Sequence, residues 1–240
     1  MTRPMTPATT PALTTALTTA LTTAMTPEAM LEHLRTRRSV REFTTAPVGR
    51  DVLERLIAAA ITAPSASNRQ PWRFVIVTRA AVRAAIANAV RAATEAIDGA
   101  VRTGAHAAEW GSYGDFFWQP LASAAAIIVP AVREPPDPLA GFLRSAGADP
   151  ARFQLPSAMK PERCALGGAV MALQLQAHAE GLGSAWMAGP MVACAELEAA
   201  CGIAPPWHMA GAIAVGHPAG PATAPSRKPP DDVTTWMEDG

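Results

Sequence analysis

Three guanidinium groups and a hydroxyl fall within five residues at Arg37-Arg38-Ser39-Val40-Arg41. Such a run can clasp a phosphate bidentately and leave a cation over; taken alone, it reads as solvated surface. Farther along, Ala63-Pro64-Ser65-Ala66-Ser67-Asn68-Arg69-Gln70-Pro71-Trp72 sets two hydroxyls and two carboxamides between prolines that restrict the backbone. A carboxamide both donates and accepts hydrogen bonds, so it matches a heterocycle edge that alternates acceptor oxygens with an N–H. The same residues also suit an Asx or Ser turn capping the next strand. Gly181-Leu182-Gly183-Ser184-Ala185-Trp186-Met187-Ala188-Gly189-Pro190 has glycines that let a backbone approach a flat ligand. It is not the G-x-G-x-x-G dinucleotide fingerprint, because Trp186 takes a glycine position and no strand precedes it. Pro225-Ser226-Arg227-Lys228-Pro229 offers a last pair of cations, by itself an exposed basic tail.

The elements that must position these residues follow from periodicity. Thr26 is a good N-cap with Pro27 at the first helical position, and Met30, Leu31 and Leu34 give a helical stripe up to the arginines. A second helix is expected over 51–62, with Leu53, Leu56, Ile57 and Ala60 inside and Pro64 ending it. A buried strand is expected over 73–78, an Ala-rich helix over 81–101 and a second buried strand over 125–129. Between them Trp110, Tyr113, Phe116, Phe117 and Trp118 gather five aromatic rings in nine residues, as core or as a pocket wall. Residues 133–161, rich in Pro, Gly and Asp, read as an excursion of loops and short helices, a length that usually has a job. A helix over 162–180 should stop at Gly181, followed by strand 185–187, helix 195–201 and strand 210–215. The pattern is mixed helix and strand, with a sheet sandwiched by helices.

A chain of 240 residues suits one well-buried domain. Its 49% hydrophobic content and zero formal charge describe an ordinary globular protein and remove the electrostatic case for nucleic acid. No apolar stretch is long enough for a membrane span. Only Lys160 and Lys228 are lysines, so the cations are nearly all arginine, which suits fixed oxyanion contacts. Cys164, Cys194 and Cys201 are odd in number and point to a reducing, cytoplasmic setting, with Cys194 and Cys201 as packing residues and not metal ligands. His33, His106, His178, His208 and His217 lie in no nucleophile or metal motif and read as structural. Residues 1–26, built on repeated Ala-Leu-Thr-Thr, are expected to form a low-complexity, disordered extension before a folded domain over 27–240.

Arg-Arg-Ser-Val-Arg-x-Phe, then Ala-Pro-Ser-x-x-Asn-x-Gln-Pro-Trp with a strand, then Gly-Leu-Gly-Ser and a late Arg, resembles the FMN-dependent nitroreductase family over about 28–230. The resemblance implies an α+β sandwich, a central mixed sheet flanked by helices, and an interlocked homodimer with FMN at the subunit interface. It implies that Arg37 and Arg227 hold the FMN phosphate with Arg38 and Ser39 nearby, and that Arg41 sits by the N1–C2 edge of the ring. Pro64, Ser65, Ser67 and Asn68, supported by Gln70, would reach the neighbouring subunit's flavin, and Ala188 and Gly189 would offer backbone near N5. It implies hydride transfer from NADH or NADPH through FMN to a small aromatic, nitro or quinone acceptor, with no catalytic triad and no metal. The family also holds flavin-fragmenting synthases and dehalogenases, and a flavin-binding protein without turnover is the rival of another class. The synthase branch carries a Gly-Met-Gln-like stretch where this chain has Ser67-Asn68-Arg69-Gln70.

Overall fold

The computed structural model describes residues 25–238. The extension expected over 1–26 therefore lies almost wholly outside the described residues. The described residues divide at Thr36–Arg37 into two units. In the first, helix α1 (Pro27–Thr36) begins as its sequence requires, with the Thr26 hydroxyl accepting from the Ala29 amide at 3.1 Å.

The second unit contains α2 (Arg50–Ala60), β1 (Trp72–Val77), α3 (Ala80–Val101), α4 (Ala107–Ser123), β2 (Ala126–Val132) and α5 (Pro138–Ser145). It continues through α6 (Pro161–Ala179), β3 (Gly183–Met187), α7 (Cys194–Cys201), β4 (His208–Met209) and β5 (Ala212–Gly216). The sheet runs in the order β1-β2-β5-β3, with β4 also on β2. Every pairing between these strands is antiparallel, and the parallel component of the expected mixed sheet is a bridge between Ser39 and Ser184.

The period of two in β2 sorts its residues between two cores. Ile127 and Val129 face α3, α4 and α7, where Ile86, Val90, Leu121 and Leu197 are buried. Ala126, Ile128 and Val132 face α2 and α6, where Leu53, Leu56, Leu166 and Leu173 are buried. The strand is covered on both sides, which is why it reads as a continuous apolar run. Burying each of its isoleucines contributes about 1.5–3 kcal/mol. α6 buries Ala165, Leu166, Ala169, Val170, Leu173 and Ala177, a helical repeat, and Gly181 at φ +73° closes it as the expected C′ glycine.

Two expectations need correction. The second strand does not stop at Val129 but continues through Pro130 to Val132. Proline is tolerated there because the neighbouring strand is itself interrupted: the Pro130 carbonyl accepts from the Ala210 amide at 2.8 Å, and β4 and β5 part at Ala210-Gly211. The strand expected over 210–215 is thus two pieces. Gly211 makes the break, at φ +83° and with a position where a Cβ would lie 2.5 Å from the Met187 carbonyl oxygen. The aromatic cluster lies on a helix, α4, and the 133–161 excursion contains α5 and two short turns of 3-10 helix. Among the described residues no helix is long and apolar enough to cross a membrane.

Candidate functional site

The arginine motif is anchored by its apolar members. Val40 fills the space above Gly183, where a Cβ would meet the valine Cβ at 2.6 Å, and Phe43 is buried against Gly216. Backbone hydrogen bonds follow the same line, from Val40 to the Ser184 carbonyl at 3.1 Å and from Thr44 to that of His217 at 2.9 Å. With Val40 and Phe43 committed to the sheet, the intervening polar side chains are held at its margin. Ser39, Val40, Arg41 and Glu42 line a cavity of 310 Å³ with Phe116 and the stretch 220–223.

Arg37 carries the sharpest signal. Its Nε and Nη1 atoms are buried and have no hydrogen-bond partner. Burial, then the charge of Arg227, then that of Arg38, pull its pKa below the ordinary guanidinium value. The late Arg227 therefore does approach Arg37, almost two hundred residues away in sequence. Arg38 spends one donor on the Arg37 carbonyl at 2.9 Å. A buried charged donor left unpaired costs more than the roughly 1–3 kcal/mol of a neutral one. The unpartnered Nε and Nη1 of Arg37, beside two further cations, are the kind of donors that could receive an oxyanion such as a terminal phosphate.

The second group is a short 3-10 turn. Ser67, Asn68 and Gln70 adopt φ of 52°, 51° and 45°, a left-handed conformation that few non-glycine residues take. Ser65 closes the turn: its hydroxyl accepts from the Gln70 amide and its carbonyl from the Asn68 amide, both at 2.9 Å. The segment is a turn, as one reading of it expected, but the Ser65 hydroxyl bond spans five residues and not the two of an Asx or Ser turn. Pro64, Ser67, Asn68 and Gln70 are exposed, and none of residues 64–70 lines the cavity beside Arg41. Arg69 bonds at 3.2 Å to Glu162 at the start of α6.

Ala188 is exposed and lines a 380 Å³ cavity with Arg163, Leu166, Trp186, Met191, Met209, Ala210 and Gly211. The Trp186 indole donates to the Ala210 carbonyl at 2.9 Å, across the strand break. The glycines of this stretch serve packing: Gly183 accommodates Val40, and Gly189 accommodates Phe117, whose ring lies where a Cβ would sit.

The aromatic cluster divides. Phe117 and Trp118 pack on the core, while Tyr113 and Phe116 are exposed. Phe117 meets Trp110 and Tyr113 edge to face at 5.7 Å and 5.1 Å. Phe116, at the mouth of the Arg41 cavity, and the Arg69–Glu162 pair are site features that periodicity alone did not single out. Burial raises the thiol pKa of Cys194 and Cys201, so neither is primed as a nucleophile. Among the described residues no three His, Cys, Asp or Glu side chains converge on a common metal position.

Comparison with solved structures places this geometry in a known fold. A BluB-like flavoprotein from Clostridium difficile 630 superposes with a TM-score of 0.78 at 22% identity, over 87% of this chain and 99% of that one. The NADPH:FMN oxidoreductase of Vibrio harveyi, complexed with NAD+, matches at a TM-score of 0.61 and 19% identity, over 88% and 77% of the two chains. A nitroreductase-like protein of Desulfovibrio desulfuricans in complex with FMN matches at 0.61 and 24%, over 90% of this chain and 100% of that one. Among curated proteins, the 5,6-dimethylbenzimidazole synthase of Rhodobacter capsulatus is 44% identical over 69 residues, 28% of this chain and 34% of the synthase. The iodotyrosine deiodinase of Haliscomenobacter hydrossis is 42% identical over 53 residues, 22% of this chain and 24% of the deiodinase. The chain thus spans about a third of one of these relatives and about a quarter of the other. The sequence profile of the nitroreductase family matches residues 34–217, from before the arginine motif to the end of the sheet, and the chain belongs to that family.

Proposed function

We propose that the chain is an FMN-dependent oxidoreductase that takes hydride from NADH or NADPH and delivers it to a small aromatic, nitro or quinone-type acceptor, working as a cytoplasmic homodimer. The observation that carries this reading is the buried, unpartnered Nε and Nη1 of the half-buried Arg37 beside Arg227 and Arg38. It is the donor set a terminal phosphate requires, and it fits FMN. The Desulfovibrio complex with FMN and the Vibrio oxidoreductase supply independent support for cofactor and donor.

When bound, FMN would supply the hydride chemistry. Arg37 and Arg227 would hold its phosphate, and Arg38 and Ser39 would complete that end. Arg41 would set a fixed positive charge at the pyrimidine edge, where reduction places negative charge. Ser67, Asn68 and Gln70 would present hydrogen-bonding groups to a ring edge, and Ala188 and Gly189 their backbone, with Phe117 packed on the side-chain position of Gly189. Proton and electron traffic then needs no side-chain triad, and the protein's part is orientation, charge and exclusion of water. All three cysteines are free, which supports a reducing setting.

The test is a visible spectrum of the purified protein, then anaerobic addition of NADH or NADPH. Yellow protein that releases FMN on denaturation and is bleached by either donor is the expected result. Protein that stays colourless after incubation with FMN refutes the assignment; a bound flavin that neither donor bleaches refutes the dehydrogenase half of it. A second reading, flavin-fragmenting chemistry, is favoured by the local match to the dimethylbenzimidazole synthase. It predicts aerobic consumption of the flavin itself, and Ser67-Asn68-Arg69-Gln70 argues against it.

A further inference from the structure

We propose that Arg69 and Glu162 are positioning residues, their ion pair holding the Ser65–Gln70 loop in the one conformation that aligns Ser67, Asn68 and Gln70 as a polar row for a heterocycle edge. This rests on the flavin reading for its ligand.

Three of the four residues Ser67–Gln70 are left-handed, and none is glycine. Such a loop relaxes unless its surroundings over-determine it. The hydrogen bonds to Ser65 close the loop on itself but do not tie it to the body of the fold. Arg69 does. It has an ordinary backbone, at φ −71°, between two left-handed neighbours, and its guanidinium reaches Glu162 at 3.2 Å. The Glu162 side chain is only 9% exposed. The carboxylate lies in the first turn of α6, where the helix dipole favours its charge. Movement of Arg69 would strand a buried carboxylate, so the pair converts loop displacement into an unpaired charge. Pro64 and Pro71 remove slack at both ends. The pair itself contacts no ligand and acts through its neighbours.

The experiment compares wild type with Glu162→Gln, Arg69→Met, Arg69→Lys and the Glu162→Gln/Arg69→Met double variant. FMN affinity is read by fluorescence titration, and amide exchange of the 64–72 peptide is read on flavin-free protein. Glu162→Gln should weaken FMN binding about three- to tenfold and speed exchange in the loop; Arg69→Met should do the same and also lower the melting temperature, because it strands the buried Glu162 carboxylate. The double variant should be no worse than either single, the mark of a shared interaction. Arg69→Lys keeps the charge and should recover most of the loss, and the visible spectrum of bound flavin should shift only in the variants that free the loop. Unchanged loop exchange and affinity in Glu162→Gln, or additive losses in the double variant, would overturn the proposal. So would failure of both single variants to fold, since the pair would then serve the core. Wild type that takes up no FMN would count against the flavin reading alone, because the exchange measurement still decides whether the pair holds the loop.

Discussion

Arg37 keeps two buried donors idle beside two other cations, a mutual repulsion that a bound anion would relieve. Arg227 is exposed, so removing it should leave the fold intact and act on the ligand. Arg227→Ala is expected to weaken FMN binding by about one to two decades, because a hydrogen bond to a charged group is worth roughly 1.5–3 kcal/mol. Isothermal titration checks it; a folded variant with wild-type affinity would remove Arg227 from the phosphate site. At this scale the order of motifs in the chain was enough to nominate the residues. What stayed hidden was why Val40 and Phe43 belong to the motif. Their partners, Gly183 and Gly216, lie far along the chain, and a close approach between distant segments leaves no periodic trace. The unusual backbone of Ser67, Asn68 and Gln70 was hidden for a related reason. Nothing in their side chains demands a positive φ, and the surrounding structure imposes it.

Arg55, in the middle of α2, ties that helix to the C-terminal end of α6, bonding Glu180 through Nε at 2.7 Å, and bonds Asp51 on its own helix through Nη1 at 3.0 Å. The Arg55 hydrogen bond, helped by Gln176, lowers the Glu180 pKa from the ordinary 4.5 to about 2. A depressed carboxylate stabilises the fold above its unfolded pKa, and that contribution drains away as pH falls toward the folded value. Wild type should therefore resist urea better than Glu180→Gln at neutral pH, with the gap closing between pH 4.5 and about 2. A gap that does not depend on pH would mean that Glu180 acts by packing alone. α4 allows a second test, because its aromatic rings divide between core and cavity. Phe117 lies on the core and against Gly189, so Phe117→Ala should cost about 3 kcal/mol in chemical unfolding. Phe116 is 55% exposed at the Arg41 cavity, so Phe116→Ala should change acceptor KM and leave the melting temperature nearly unmoved. The reverse pattern would exchange their roles. Helices and buried strands were readable because periodicity survives in a single sequence. The run through Pro130 was not, since a proline inside a strand is credible only once the Ala210-Gly211 break beside it is known.

At the scale of the whole molecule, the two groups of candidate residues do not line a common cavity. The cavity beside Arg41 is lined from 39–42, Phe116 and 220–223, while the Ser65–Gln70 loop is fastened to the start of α6. α6 is the central buried helix, yet its outer face exposes Cys164, Gly168 and Met171 at helical spacing. Small and apolar residues on an otherwise covered helix suit a two-fold contact with a second copy, in which each patch meets its own counterpart. If that contact forms, the loop of one subunit can serve the arginine group of the other, and each flavin site is composite. The two arrangements make different arithmetic. Arg37→Ala and Asn68→Ala homodimers each damage every site. In a composite heterodimer of the two variants, one site carries both lesions and the other carries neither. Random exchange of equal amounts puts half of the subunits in heterodimers, so about a quarter of all sites should regain wild-type FMN affinity. If both groups instead serve the flavin of their own subunit, every site keeps one lesion and mixing restores nothing. Flavin titration of the mixture, alongside sedimentation of each homodimer, separates these outcomes, and a monomer that fills with FMN would exclude the composite site altogether.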